Sequence, residues 1–154
     1  SWKAPVPTIE SCDSTGAERD SFIPSETVYV NGSKYAPSKT YDLHIVSDVG
    51  TWTDGMTIPA RIPGTATSVS SDASRNIPPT AVWPALLTPG KYDVVVDANG
   101  NGKYDAGIDA LDDNDTQVTA GFFVIPEYLL GTILGLVGCL AAFGSYRISK
   151  RKIP

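Results

Sequence analysis

The sequence is short of the residues that most catalytic chemistry needs. It has one histidine, His44, and two cysteines, Cys12 and Cys139. No Cys/His cluster of metal-ligand spacing, no C-x-x-C-H, no nucleophile elbow and no phosphate-binding loop is present. His44 stands on the polar side of an alternating stretch and reads as a surface residue, with nothing to build a Ser-His-Asp arrangement around it. An enzyme is therefore not expected. Cys139 falls in a long apolar run and Cys12 near the N-terminus, so an intramolecular disulfide is geometrically implausible. Basic residues are also scarce: eight stand against all seventeen acids up to residue 127. Such an acidic surface excludes nucleic acid as a partner and suits a solvated protein, or one that gathers cations. No helical period occurs before residue 128.

What is present is dominated by the C-terminal stretch YLLGTILGLVGCLAAFGSYRISKRK, residues 128–152. From Tyr128 to Tyr146 no side chain is charged, and a helix over this run would be roughly 28 Å long, close to the hydrocarbon thickness of a bilayer. Tyr128 and Tyr146 suit the two headgroup layers. Arg147, Lys150, Arg151 and Lys152 follow without an acid. Basic flanks stay inside, so the expectation is a single-pass protein of the cytoplasmic membrane, N-terminal domain outside and C-terminus in the cytoplasm. The chain opens at Ser1-Trp2 without an apolar leader, and an exported chain is expected to have lost a signal peptide. Gly131, Gly135, Gly138, Ala142 and Ser145 form one stripe of small residues along the run, beside Cys139. Such a stripe lets helix backbones approach in lipid, which makes other membrane helices candidate partners.

The remaining 127 or so residues suffice for one domain with a core. Residues 1–21 read as an extended arm or lead-in strand. Short β-rich runs follow at 27–30, 41–46, 65–70, 80–83, 91–97 and 117–124, separated by Gly, Pro and Asn turns, with Asn31-Gly32 closing the first. In Lys91–Asp97, Tyr92, Val94 and Val96 alternate with Asp93 and Val95. The expected fold is mainly β: an antiparallel immunoglobulin-like β-sandwich over 22–125, with a small barrel as the alternative, then a transmembrane helix over 126–146 and a basic cytoplasmic tail over 147–154. Trp52 and Trp83 read as sheet-packing residues. Asn31 and Asn114 open glycosylation sequons.

One stretch concentrates metal-type donors. Counting from Asp97, oxygen ligands fall at positions 1 (Asp97), 3 (Asn99), 5 (Asn101) and 9 (Asp105), with Gly102 at 6 and the Lys103 carbonyl at 7. Calcium takes six to eight oxygens around a tight turn, and this spacing offers most of an EF-hand-like set. Ile108 occupies position 12, so Asp109 supplies the closing carboxylate one residue late, with Asp112, Asp113 and Asp115 close behind. The alternative is a solvated hairpin loop rich in Asn-Gly turns.

Two runs carry a resemblance. Glu26–Leu43 resembles the opening of an immunoglobulin-like module of archaeal cell-surface proteins, and Lys91–Asp105 its closing hairpin. The resemblance implies surface display rather than an activity. Pro126-Glu127-Tyr128 with the apolar run and basic cluster resembles the three-part C-terminal sorting tails of archaeal PEF type, with Tyr128 where those tails carry Phe. The functional expectation is a membrane-anchored surface protein with a structural or interaction role, its partners the bilayer, itself or other cell-envelope proteins. The alternative is an accessory single-span subunit of a larger membrane complex.

Overall fold

The structure, a computed structural model, describes residues 4–113 and 120–127. The uncharged run, its small-residue stripe, the basic tail and Asn114 lie outside the described residues. The described part is mainly β and contains no helix long and apolar enough to cross a membrane.

Among the described residues nine strands form two sheets. The smaller has the order β1-β3-β6, from Thr8–Cys12, Val28–Ser33 and Ile77–Trp83. The larger has the order β2-β9-β7-β4-β5, from Ser21–Phe22, Phe122–Val124, Gly90–Asp97, Thr40–Ser47 and Ser68–Ser70, and β8 (Ala110–Asp112) also pairs with β7. Ile9, Val28, Val30, Ile77 and Val82 of one sheet and Leu43, Ile45, Val94, Val96 and Phe122 of the other belong to a single buried cluster. Trp83 meets Tyr92 edge to face at 4.9 Å, which ties the two sheets at one end of that core.

Several expectations change. The sheets are not wholly antiparallel, because β2 runs parallel to β9. Of the two readings of residues 1–21, the lead-in strand applies from Thr8, since Ile9 and Cys12 are buried and β1 pairs with β3 along its whole length. Asn31-Gly32 is not a turn but part of β3, at a break in register with β6. A Cβ on Gly32 would drive into the Thr8 carbonyl, so the glycine is there to let β1 approach. Pro78 and Pro79 are tolerated because β6 is an edge strand, where a missing N–H costs no ladder bond.

The polar face expected on β7 is also buried. Asp93 and Val95 are both fully covered. The long β4–β5 connection folds over that side of the sheet, and Ile58 packs there with Val46 and Val95, flanked by Trp52, Tyr104 and Leu111.

Strand directions give the sandwich two distinct ends. Phe22, Ser47, Trp83, Gly90 and Val124 lie at the end where the chain leaves β9. Thr8, Ser33, Thr40, Ser70, Ile77 and Asp97 lie at the other.

Candidate metal centre

The donor-rich loop runs between Asp97, the last residue of β7, and Asp109, which directly precedes β8. Both acids are nearly inaccessible, at 2% exposure each, and both hold backbone. Asp97 Oδ1 accepts from the Gly100 and Asn101 N–H groups at 3.0 and 3.3 Å, and Oδ2 from Gly102 N–H at 2.7 Å. Asp109 Oδ1 accepts from Ala98 N–H at 2.8 Å and Oδ2 from Asp105 N–H at 2.7 Å. Gly100 and Gly102 take φ of 69° and 77°, the left-handed values such a tight winding requires. The loop is thus shaped by carboxylates accepting from its own N–H groups, a job that needs acids at these spacings whether or not a metal binds.

The other donors converge on one atom. The Asn99 and Asn101 amides both point at Asp105 Oδ2, at 3.0 and 2.7 Å. Two partial positive groups surround a half-buried carboxylate at the spot where a cation bound to these three residues would sit. A half-turn of each amide would present oxygen instead. Lys103 donates its N–H to Asn101 Oδ1 at 2.9 Å. Asp112, close behind the loop in sequence, does not join it: its Oδ2 accepts from Ser11 N–H at 3.0 Å on β1. Among the described residues no group of three or more His, Cys, Asp or Glu side chains is gathered as a metal cluster. Asp97, Asp105 and Asp109 share one loop without sharing one point.

Sequence reasoning missed the scaffold behind this loop. Residues 56–58 pair with 102–104: Tyr104 N–H bonds to the Met56 carbonyl at 2.8 Å and Ile58 N–H to the Gly102 carbonyl at 3.0 Å. Asp54 Oδ1 accepts from Ala106 N–H at 3.0 Å. The Asp54-Gly55 turn signal was visible, but nothing local tells which strand it will face. Burial lifts the Asp109 carboxyl above its usual range, helped by the nearby charges of Asp97 and Asp105.

A second set of buried acids lies where β1, β7, β8 and β9 meet. Asp93 Oδ2 accepts from Val49 N–H at 2.7 Å and Trp52 Nε1–H at 2.8 Å, and Oδ1 from Gly121 N–H at 3.3 Å. Burial still pushes its carboxyl up to about 6. The Ser11 hydroxyl lies 2.8 Å from the Arg19 carbonyl and 3.2 Å from that of Gly121, so the polar groups form a chain from Asp93 to Asp112. Burial, with Glu10 and Asp20 adding repulsion, drives Asp112 up to about 8.

The remaining sequence candidates serve structure. His44 is half-buried rather than free on the surface, 3.4 Å from Arg61 Nη2, and burial followed by that positive charge lowers its pKa. Asn31 sits within β3 and donates its amide to the Gly16 carbonyl at 3.0 Å. Trp52 packs on Tyr104 at 5.5 Å. Compared with known protein families, with characterised proteins and with solved structures, the chain shows no significant match to any of them.

Proposed function

We propose that this is a membrane-anchored cell-surface protein with a structural or interaction role, in which an immunoglobulin-like sandwich is displayed outside the cytoplasmic membrane. One observation carries the reading. Strand β9 ends at Val124, and only Ile125, Pro126 and Glu127 separate it from nineteen uncharged residues followed by four basic ones. A span with one basic flank orients that flank inward and the sandwich outward. Two sheets sharing one core support the immunoglobulin-like class. Calcium is the proposed ligand of the 97–109 loop, supported by the convergence of Asn99 and Asn101 on Asp105. Its role there is stabilisation, since a cation would replace the amides that now offset the carboxylate.

A second reading follows from the small-residue stripe Gly131, Gly135, Gly138, Ala142 and Ser145: an accessory subunit whose helix docks on those of a larger complex. Purification of the full chain from its membrane in mild detergent separates the two. Recovery alone or with itself supports surface display, whereas a fixed set of integral proteins in constant proportion supports the accessory role. Release of the chain by alkaline carbonate, without detergent, would defeat both.

A further inference from the structure

We infer that the β6–β7 loop tip, Pro84-Ala85-Leu86, is a second membrane contact that seats in the lipid headgroup layer beside the anchor and holds the sandwich upright. The inference rests on the reading of residues 128–146 as a span. Among the described residues three large hydrophobic side chains are exposed: Leu86 at 80%, Ile108 at 50% and Val6 at 48%. Single exposed hydrophobics are ordinary, so position must decide. Val6 and Ile108 line one recess at the end of the sandwich that carries the 97–109 loop. Leu86 stands at the opposite end, where the chain leaves the fold.

The tip and the exit are tied to the same stretch of backbone. Ile125 N–H bonds to the Phe22 carbonyl at 2.8 Å, and Leu87 N–H to the Pro24 carbonyl, two residues on, at 2.9 Å. Leu87 is 3% exposed, so its side chain pins the loop while Leu86 beside it faces out. The Tyr92 hydroxyl holds the far side of the loop through the Thr88 carbonyl at 2.6 Å. From Pro84 to Gly90 there is no charged residue. Glu26, in the neighbouring β2–β3 connection, is paired with Arg19. Three residues can reach at most about 10 Å, so the exit end of the sandwich cannot stand further than that from the start of the uncharged run. A pinned, uncharged tip ending in an exposed leucine is thereby held at headgroup depth, where its burial is favourable. The same geometry turns the 97–109 loop away from the membrane.

The test uses the full chain in phosphatidylcholine vesicles that contain nitroxide-labelled lipid, with a fluorophore on one cysteine at a time. Leu86→Cys reports the tip and Ala73→Cys the opposite end, both with Cys139→Ala. The native chain labelled at Cys139 reports the span. Cys12 is buried with its thiol pushed up to about 11, and stays unlabelled in the folded protein. Quenching at residue 86 several-fold stronger than at 73, together with strong quenching at 139, is the expected result. Quenching at 139 with residue 86 no different from 73 would overturn the inference and leave the anchor standing. No quenching at 139 would remove the anchor, and the inference with it.

Discussion

Asp112 gives the sandwich an unusual dependence on pH, and Asp112→Asn isolates it. The carboxyl is 6% exposed in β8, accepts one bond from Ser11 N–H, and is raised from the ordinary 3.8 to about 8, chiefly by burial. A folded pKa above the unfolded one means that folding favours the proton. The contribution is complete below about pH 4 and is lost progressively as pH rises towards 8. At about 1.36 kcal/mol per pKa unit, the loss is on the order of 5 kcal/mol, comparable with the whole stability of many domains. Asparagine keeps an oxygen to accept from Ser11 and cannot ionise. Urea unfolding of a fragment ending at Glu127, followed at about pH 5 and pH 9, should show a wild-type midpoint that falls steeply and an Asp112→Asn midpoint that falls much less, the variant being the more stable at the higher pH. Asp93 and Asp109 also titrate upward, but they are common to both proteins and drop out of the difference. Parallel curves for the two proteins would refute the assignment of a buried, neutral Asp112.

Asp93→Asn should behave oppositely, destabilising the fold by about 1–3 kcal/mol in the same titration, because both carboxylate oxygens already face donors and the new amide must oppose one of them. Gly32→Ala should cost about 1–3 kcal/mol by driving its methyl into the Thr8 carbonyl and forcing β3 away from β1, read as a lower urea midpoint with an unchanged slope. For the candidate metal loop, calcium at a hundredfold excess over its dissociation constant should add about 2.7 kcal/mol and raise the melting temperature by several degrees. Asp105→Asn should abolish that rise with little cost of its own, since the half-buried Asp105 side chain accepts from the Asn99 and Asn101 amides rather than from backbone, whereas Asp97→Asn will also weaken the loop because Asp97 holds three N–H groups. Coincident melting in calcium and in chelator would mean that the loop is a self-satisfied turn.

The legible part of the fold was the part that obeys a local rule. Tyr41–Val46 and Lys91–Asp97 alternate over enough residues to mark β4 and β7, the two strands paired at the heart of the larger sheet. Strands β2 and β8 have two and three residues, too few to show any period. In β1 the burial of Ser11 replaces the expected apolar signal, and its hydroxyl lies within bonding distance of two carbonyls from other parts of the chain. Asp93 misled because an acid in an alternating strand reads as facing solvent, and only tertiary packing reveals the donors that wait for it. The candidate site divides similarly. The spacing of Asp97, Asn99, Asn101, Asp105 and Asp109 is local and could be read directly. The support from Asp54 and residues 56–58 comes from about fifty residues away and leaves no mark on the loop itself.

The orientation of the chain across a membrane tests the central claim most directly. Protease added to sealed right-side-out vesicles carrying the full chain should digest within residues 1–127 and leave residues 147–154 attached to a protected fragment that contains the uncharged run. Digestion of the tail while the sandwich stays intact would reverse the topology, and recovery of the whole chain in the soluble fraction would deny the anchor altogether.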